Sequence, residues 1–185
     1  MPARPIVRLG HPALRIPARS IAPELVGTPE IQALIDDMIE SMREAHGVGL
    51  AAPQVGEELQ LFVYEANTPP DREQPIPLQV VVNPMITPQS GELVYDWEGC
   101  LSIPDLRGLV PRHPAVRVQG LDRAGRPVAY VVDGFEARIV QHEFDHLNAV
   151  VFLDRMRDLR SLSFIDEWER YMSGEGEELD DTAVG

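Results

Sequence analysis

The stretch QHEFDHL, at residues 141–147, constrains this chain more than any other. It places His142 and His146 four residues apart and puts Glu143 directly after the first histidine. The surrounding segment, residues 133–147, is apolar around most of its circumference, which predicts a buried helix. Residues four apart lie one turn apart on one face of a helix, so both imidazoles can reach one metal ion. The segment therefore predicts a buried helix that carries a metal-binding pair.

Two histidines can also be ordinary core residues of a helix. Burying them together with the acids Glu143 and Asp145 would be costly unless something pairs with these groups. We therefore interpret His142 and His146 as metal ligands. Glu143 lies about 100° around the helix, where it can contact a water bound to the metal and take its proton. We interpret Asp145 as a supporting group rather than a ligand.

The stretch does not fix the third ligand. The metzincin pattern is excluded, because Ala149 and Phe152 stand where it requires a glycine and a third histidine. A later glutamate, Glu167 or Glu169, is an alternative, although a solvated helix face explains both more simply. Another candidate is Cys100 in WEGCLSIP, the only cysteine of the chain, but a lone cysteine is usually an inert buried thiol. The residues alone leave these alternatives open.

Two further helices are predicted outside this segment. Residues 28–47 have apolar side chains at spacings of three and four, with Thr28 placed as N-cap, Pro29 at the first helical position and Gly47 at the end. A final amphipathic helix is expected at about residues 155–172. We expect the buried helix to begin at Asp133, whose side chain would form a capping-box-like arrangement with Glu136.

Short runs rich in valine and isoleucine predict an antiparallel sheet system between these helices. The runs are residues 59–66, 78–86, 115–122 and 126–133. The proline-rich piece at 67–77 is interpreted as a surface loop between strands. The fold class is therefore predicted as α+β, with antiparallel sheets packed around the buried helix and further helices towards both ends.

Composition limits the possible partners and the number of domains. The chain has 185 residues, 44% of them hydrophobic, which is enough for one core and short for two. We expect one domain at residues 1–173 and a disordered acidic tail at 174–185. The formal net charge of -14 repels phosphate backbones and anionic lipid, so nucleic acid is not expected as a direct partner.

Three further observations concern the compartment. No apolar run approaches the roughly 20 residues that a membrane span needs. The first residues, MPARPIVRLG, lack the apolar region of a signal peptide. A single cysteine allows no intrachain disulfide and favours a reducing compartment. We therefore expect the protein to work in the cytoplasm, away from the membrane.

Four motifs in order resemble the peptide deformylase family. They are RLGHPALR at 8–15, GVGLAAPQVG at 47–56, EGCLS at 98–102 and QHEFDH at 141–146. The resemblance extends from about residue 6 to the end of the final helix. The last three of these motifs, in one order, are far more specific than H-E-x-x-H alone. It implies an enzyme that removes the formyl group from the N-terminal formylmethionine of newly made chains and releases formate.

The resemblance also implies a ligand set and a metal. By it, Cys100, His142 and His146 hold one divalent metal, with water in the fourth position, and Glu143 is the general base and then the general acid. A cysteine and two histidines suit zinc by default. The family points instead to ferrous iron in the cell, with zinc, nickel or cobalt able to replace it.

The resemblance assigns further residues to the substrate. The Gln54 side chain and the Leu101 backbone N–H would stabilise the oxyanion, and backbone at Val48, Gly49 and Gly99 would line the substrate strand. The methionine pocket would include Val48, Glu98, Phe135, Arg138 and Ile139. Phe135 could equally be plain core. Glu98 would pair with Arg112 and brace the EGCLS turn.

The chain departs from the usual family pattern at two places, and its residues also allow two competing functions. Ala149 replaces a common glycine, and the acidic tail would oppose approach to the ribosome, where bacterial members commonly dock. A zinc endopeptidase with a carboxylate as third ligand would not need Cys100. A structural metal module would need a fourth protein ligand, for which His113 is conceivable, although its HP dipeptide is more simply a turn.

Overall fold

The computed structural model describes residues 4–173. The predicted acidic tail, residues 174–185, lies outside the described residues. Two antiparallel sheets and four α-helices make up the described chain, together with short 3₁₀ turns. The strands are β1 (Gly49–Ala51), β2 (Leu61–Ala66), β3 (Ile76–Pro88), β4 (Val94–Cys100), β5 (Ile103–Arg112), β6 (Ala115–Leu121), β7 (Pro127–Asp133) and β8 (Ser163–Phe164). The helices are α1 (Pro29–Glu44), α2 (Gly134–Leu147), α3 (Phe152–Arg155) and α4 (Ile165–Tyr171). The predicted α+β class is confirmed.

The larger sheet has the order β1-β2-β3-β6-β7, with every neighbouring pair antiparallel. The four predicted runs form β2, β3, β6 and β7. The predicted loop at 67–77 is shorter than expected, because β3 begins at Ile76 and pairs with Ala66. Strand β1 lies at one edge of this sheet, which leaves one side of its backbone without a strand partner in the described chain.

The larger sheet is covered on both faces. Phe62 and Tyr64 of β2 join a hydrophobic cluster with α2, whereas the alternate residues Leu61 and Val63 join a cluster with α1. Successive side chains on a strand point to opposite faces, so one strand serves both clusters. This arrangement buries α2 against the sheet and fixes the position of its histidines.

The smaller sheet has the order β4-β5-β8. Cys100 is the last residue of β4 and pairs with Ile103 across the turn. The β4–β5 register shifts between Gly99 and Cys100. The turn at Leu101 and Ser102 therefore holds Cys100 at the end of the sheet that faces α2.

Helix α1 matches its prediction, although its ends differ from the expectation. Thr28 occupies the N-cap position, but its hydroxyl donates to the Leu25 carbonyl at 2.7 Å and caps nothing. The left-handed residue after the helix is His46, with φ of 54°, rather than Gly47. Gly47 still ends the helix, because its N–H bonds the Met42 carbonyl at 2.9 Å.

Helix α2 begins one residue after Asp133, but the expected capping box with Glu136 is absent. The Asp133 side chain makes no cap hydrogen bond and pairs instead with Arg72 at 2.8 Å. Asp71, from the loop before β3, accepts a hydrogen bond from the Phe135 N–H at 2.7 Å. A carboxylate from a distant loop therefore caps the helix that carries the histidines.

Only the last part of the final helix predicted at 155–172 is helical, as α4 (Ile165–Tyr171), and the predicted start is wrong. Asp158 caps a 3₁₀ turn through the Arg160 N–H at 2.8 Å. The short strand β8 then pairs with Leu106 and Arg107 of β5, so α4 begins only at Ile165. Pairing with the sheet overrides the helical pattern of this segment.

Candidate metal centre

Cys100, His142 and His146 converge at the junction of β4 and α2. Their ligand atoms all lie within 4.8 Å of one another. Cys100 Sγ is 3.3 Å from His146 Nε2, and the two imidazole centroids are 5.0 Å apart. The structure thus brings together a sulfur and two nitrogens from segments that are more than forty residues apart in sequence.

The chemistry of these donors fits a divalent transition metal. His142 Nδ1 contacts Glu98 Oε2 at 2.9 Å, and an ionised carboxylate can only accept, so the proton is on Nδ1 and the Nε2 lone pair is free. Burial lowers the pKa of His146, and the positive charge of Arg112 acts in the same direction, so this imidazole is neutral. One cysteine sulfur with two imidazole nitrogens is a donor set that zinc and ferrous iron accept.

The alternative ligands lie elsewhere. His113 Nδ1 contacts the Ser90 carbonyl oxygen at 3.0 Å, and this histidine is outside the group. Glu167 and Glu169 are exposed residues of α4. Within residues 4–173, no fourth histidine, cysteine or acid joins the three converging side chains.

Glu143 is a buried carboxylate beside this group. It is 4% exposed, and its Oε2 atom has no hydrogen-bond partner among the described residues. Burial raises its pKa to about 7. Its side chain packs on Gly49, where the Cβ of any other residue would meet the Glu143 Cδ at 2.8 Å. A buried acid with one unsatisfied oxygen is suited to proton transfer rather than to structural support.

Gln54 lies in the 3₁₀ turn Ala52–Val55 and is 1% exposed. Its Oε1 accepts a hydrogen bond from the Ala51 N–H at 2.8 Å, which fixes the orientation of the amide group. The Nε2 atom then lies 3.5 Å from Cys100 Sγ and 3.3 Å from Ser102 Oγ. The amide N–H₂ therefore points towards the converging ligands. Leu101 follows Cys100, and its side chain packs against Gly47.

The residues predicted to bind substrate occupy different surroundings. Val48 is 39% exposed, and Gly49 begins the edge strand β1. Gly99 lies opposite Arg107 in the β4–β5 pair. Ile139 is buried in the cluster between α2 and the larger sheet, and half-buried Phe135 packs against it. These two side chains also serve the core.

Glu98 and Arg138 belong to an ion-pair network instead of a simple apolar pocket. Arg112 binds Glu98 through two hydrogen bonds of 2.8 and 3.0 Å, which confirms the predicted pair. Arg138 adds a third at 2.9 Å, and its other bonds reach backbone carbonyls of β4 and β5. Burial would raise the pKa of Glu98, but hydrogen bonds from Arg112 and His142 hold it well below the usual value. The link from Glu98 to His142 could not be found from sequence spacing.

The α+β fold surrounds a buried H-E-x-x-H helix, and a cysteine and two histidines converge beside a buried glutamate; this arrangement is typical of a metal-dependent hydrolase. A family model described as polypeptide deformylase matches residues 3–161. The chain belongs to the polypeptide deformylase family, whose members remove N-formyl groups from nascent polypeptides.

Relatives and solved structures agree with this assignment. The chain is 45% identical over 166 residues to peptide deformylase 1 of Nitrosomonas europaea, covering 88% of this chain and 93% of the relative. It is 47% identical over 164 residues to peptide deformylase 2 of Bordetella bronchiseptica, covering 87% of this chain and 92% of the relative. A class I type b peptide deformylase from Acinetobacter baumannii with Met-Ala-Ser bound gives a TM-score of 0.77 at 37% identity, covering 84% of this chain and all of that one. A Synechococcus elongatus peptide deformylase in complex with actinonin gives a TM-score of 0.76 at 40% identity, covering 87% of this chain and 82% of that one.

These matches make the chain a hydrolase of protein biosynthesis that acts on N-formylated peptides. Its family is metal-dependent, and the described residues include a Cys-His-His group that could hold the ion. Within residues 4–173, no helix is long and apolar enough to cross a lipid bilayer.

Proposed function

We propose that Cys100, His142 and His146 are the ligands of one divalent metal at the deformylase site, with Glu143 as general base and then general acid. The observation that carries this proposal is the convergence of the three ligand atoms within 4.8 Å beside a buried, partly unpartnered carboxylate. We further propose that residues 1–173 act as one catalytic domain, which the two clusters sharing the larger sheet support.

A proton is moved by Glu143 in this scheme. A bound divalent metal supplies Lewis acidity, which makes water a nucleophile near neutral pH. The Glu143 carboxylate takes a proton from the attacking water as the new C–O bond forms at the formyl carbon. It returns this proton to the amide nitrogen as the C–N bond breaks. The products are formate and a peptide with a free N-terminal amine.

Two donors would stabilise the charge that develops on the formyl oxygen. Gln54 Nε2 is aimed at the ligand group because the Ala51 N–H holds the other end of the amide. A donor fixed before the reaction costs no reorganisation when the charge develops. The backbone N–H of Leu101, next to Cys100, is the second donor that we propose.

The substrate would bind as an extended strand beside β1. This strand lies at the sheet edge and begins at Gly49, so the backbone groups on its open side can pair with another extended chain. Backbone at Val48, Gly49 and Gly99 would line the peptide. Val48, Phe135 and Ile139 would form apolar walls for the methionine side chain. The Met-Ala-Ser complex of the Acinetobacter baumannii relative supports a methionine-first peptide as ligand.

We propose ferrous iron as the metal in the cell, with zinc, nickel or cobalt able to substitute. One thiolate and two imidazoles accept all four ions, so support for iron comes from the family resemblance. Metal analysis of anaerobically purified protein, paired with formate release from a formyl-methionyl tripeptide, tests the site and the ion together. About one equivalent of iron with active protein supports the proposal, whereas inactive protein with a full equivalent of iron contradicts it.

We propose the cytoplasm as the compartment of this reaction, because formylated nascent chains are made there. Cys100 is free of any disulfide, which is consistent with that compartment. The net charge of -14 opposes approach to ribosomal RNA, so any contact with the ribosome should strengthen as salt screens this repulsion. Co-sedimentation with ribosomes at low and physiological salt tests this point, and binding that weakens with added salt contradicts it.

A further inference from the structure

A chain of charged side chains connects Arg155, at the protein surface, to the imidazole of His142. Arg155 Nε lies 3.0 Å from Asp145 Oδ2, and Arg155 Nη2 lies 2.6 Å from Asp145 Oδ1. Both oxygens of this carboxylate are thus held by one guanidinium. Asp145 lies in the same helix as His142, and it is 4% exposed.

The next links pass through Arg112 and Glu98. Asp145 Oδ2 also accepts a hydrogen bond from Arg112 Nη1 at 2.6 Å. Arg112 uses its remaining donors on Glu98, whose Oε2 accepts from His142 Nδ1 at 2.9 Å. Arg112 and Glu98 are each 5% exposed, so neither can exchange these partners for bulk water. The orientation of the imidazole therefore depends on three side chains in series.

Arg155 is necessary for this series because it satisfies one oxygen that nothing else reaches. Arg155 is the only partner of Asp145 Oδ1 among the described side-chain contacts. Without it, the buried carboxylate keeps one hydrogen bond, to Arg112, and is free to rotate about that bond. A rotation would shift the Arg112 guanidinium and with it the Glu98 oxygen that fixes the imidazole.

The position of Arg155 is itself fixed by short helix α3. Phe152, at the start of this helix, is 1% exposed, and its ring stacks on His142 with centroids 6.5 Å apart. Asp154 accepts from the Val151 N–H at 2.8 Å and pairs with Arg15. Arg155 can therefore hold Asp145 although its own side chain is 49% exposed.

We propose that Arg155 is a positioning residue for the metal ligand His142, acting through Asp145, Arg112 and Glu98. This inference rests on the proposed ligand set. It adds a surface residue on α3 to the groups that determine metal retention and turnover. The described hydrogen bonds of the Arg155 side chain go only to Asp145, and neither residue is one of the three converging ligands, so we assign Arg155 a positioning role.

Metal release separates this role from a purely structural one. The variant Arg155→Met removes both hydrogen bonds and retains an apolar stem, whereas Arg155→Lys restores the charge and one bond. Arg160→Met is the matched control, because Arg160 is 78% exposed and pairs only with nearby Asp158. Each protein is loaded with cobalt, and three quantities are measured: the rate of cobalt loss to a chelator, the visible absorption spectrum, and kcat and KM for a formyl-methionyl tripeptide.

We expect Arg155→Met to lose cobalt about tenfold faster, with a changed spectrum and a lower kcat at unchanged KM. Arg155→Lys should recover part of each effect, and Arg160→Met should match the parent protein. A lower unfolding temperature with an unchanged spectrum and rate of cobalt loss overturns the inference, because Arg155 would then support only the fold. His142→Ala in the same assay keeps the two proposals apart: cobalt retention there contradicts the ligand set itself, whatever Arg155 does.

Discussion

The Nδ1 atom of His142 lies 2.9 Å from Oε2 of Glu98, and both side chains are buried. This contact fixes which imidazole nitrogen carries the proton and leaves the other free for a metal. Glu98 also neutralises Arg112 and Arg138, which are buried beside it. One carboxylate therefore serves both the proposed metal site and the stability of the surrounding fold.

Replacing this carboxylate should weaken both. Glu98→Gln removes the anion that two buried guanidinium groups share and leaves Arg112 with Asp145 alone, which should lower the free energy of unfolding by about 3 kcal/mol. Metal affinity should fall by about 10- to 100-fold, because the neutral amide has one acceptor oxygen in place of two and is a weaker acceptor for His142. Chelator competition and denaturant unfolding measure the two effects. Glu65→Gln is the control: its partner Arg43 is half-exposed, so we expect a loss of only about 0.2–1 kcal/mol and unchanged metal affinity. Wild-type metal affinity in Glu98→Gln contradicts the account.

The oxyanion role of Gln54 predicts an effect on turnover without loss of metal. Gln54→Ala should lower kcat by about 10² to 10³, as expected for removal of one fixed donor. Gln89→Ala removes an exposed amide that bonds only the nearby Thr87 carbonyl, and it should have no effect. Steady-state kinetics with parallel metal analysis distinguishes the cases. A change confined to KM would argue against the oxyanion role.

Gly49 is predicted to control the position of Glu143. An added methyl group at this residue meets the Glu143 carboxylate, so Gly49→Ala must displace it. A displacement of about 1 Å can reduce turnover by about 10²-fold, and we expect a loss of that order in kcat. Gly91→Ala adds a methyl group where nothing lies within 4 Å and serves as control. Undiminished kcat in Gly49→Ala would show that the carboxylate is not held where the structure has it.

The cap of α2 offers a test of tertiary structure against local sequence. Asp71→Ala removes the acceptor for the Phe135 N–H and should lower the free energy of unfolding by about 1 kcal/mol. Asp133→Ala should cost less, because that exposed side chain makes no cap hydrogen bond. Thermal unfolding of the two variants decides between them. A larger loss in Asp133→Ala would favour the capping box expected from sequence.

The sequence predicted those parts of the fold whose signal is local. Hydrophobic periodicity identified α1 and α2, and β-branched runs identified four strands of the larger sheet. Strands β4 and β5 carry mostly exposed or half-buried residues and include Gly99 and Gly108, so their sequence lacks a clear alternation of apolar and polar residues. The break in the final helix depends on pairing of Ser163 and Phe164 with β5, which no local pattern encodes.

The candidate site was also predicted only in part from the sequence. The histidines and Glu143 could be identified from their spacing on one helix, and family motifs added Cys100 and Gln54. The ion-pair series could not be predicted, because Glu98 and Arg155 lie 57 positions apart and meet only through Arg112 and Asp145. The capping role of Asp71 could not be predicted either, because this residue lies in a loop whose sequence indicates only a turn.

The central claim is that Glu143 moves protons while Cys100 helps to hold the metal, and paired variants test it most directly. Metal content and formate release should be measured on Glu143→Gln and Cys100→Ser, both prepared without oxygen. We predict that Glu143→Gln keeps about one equivalent of metal and loses about 10² to 10⁴ in kcat, and that Cys100→Ser loses the metal and the activity together. Loss of metal from Glu143→Gln, or full formate release by metal-loaded Cys100→Ser, would contradict the account.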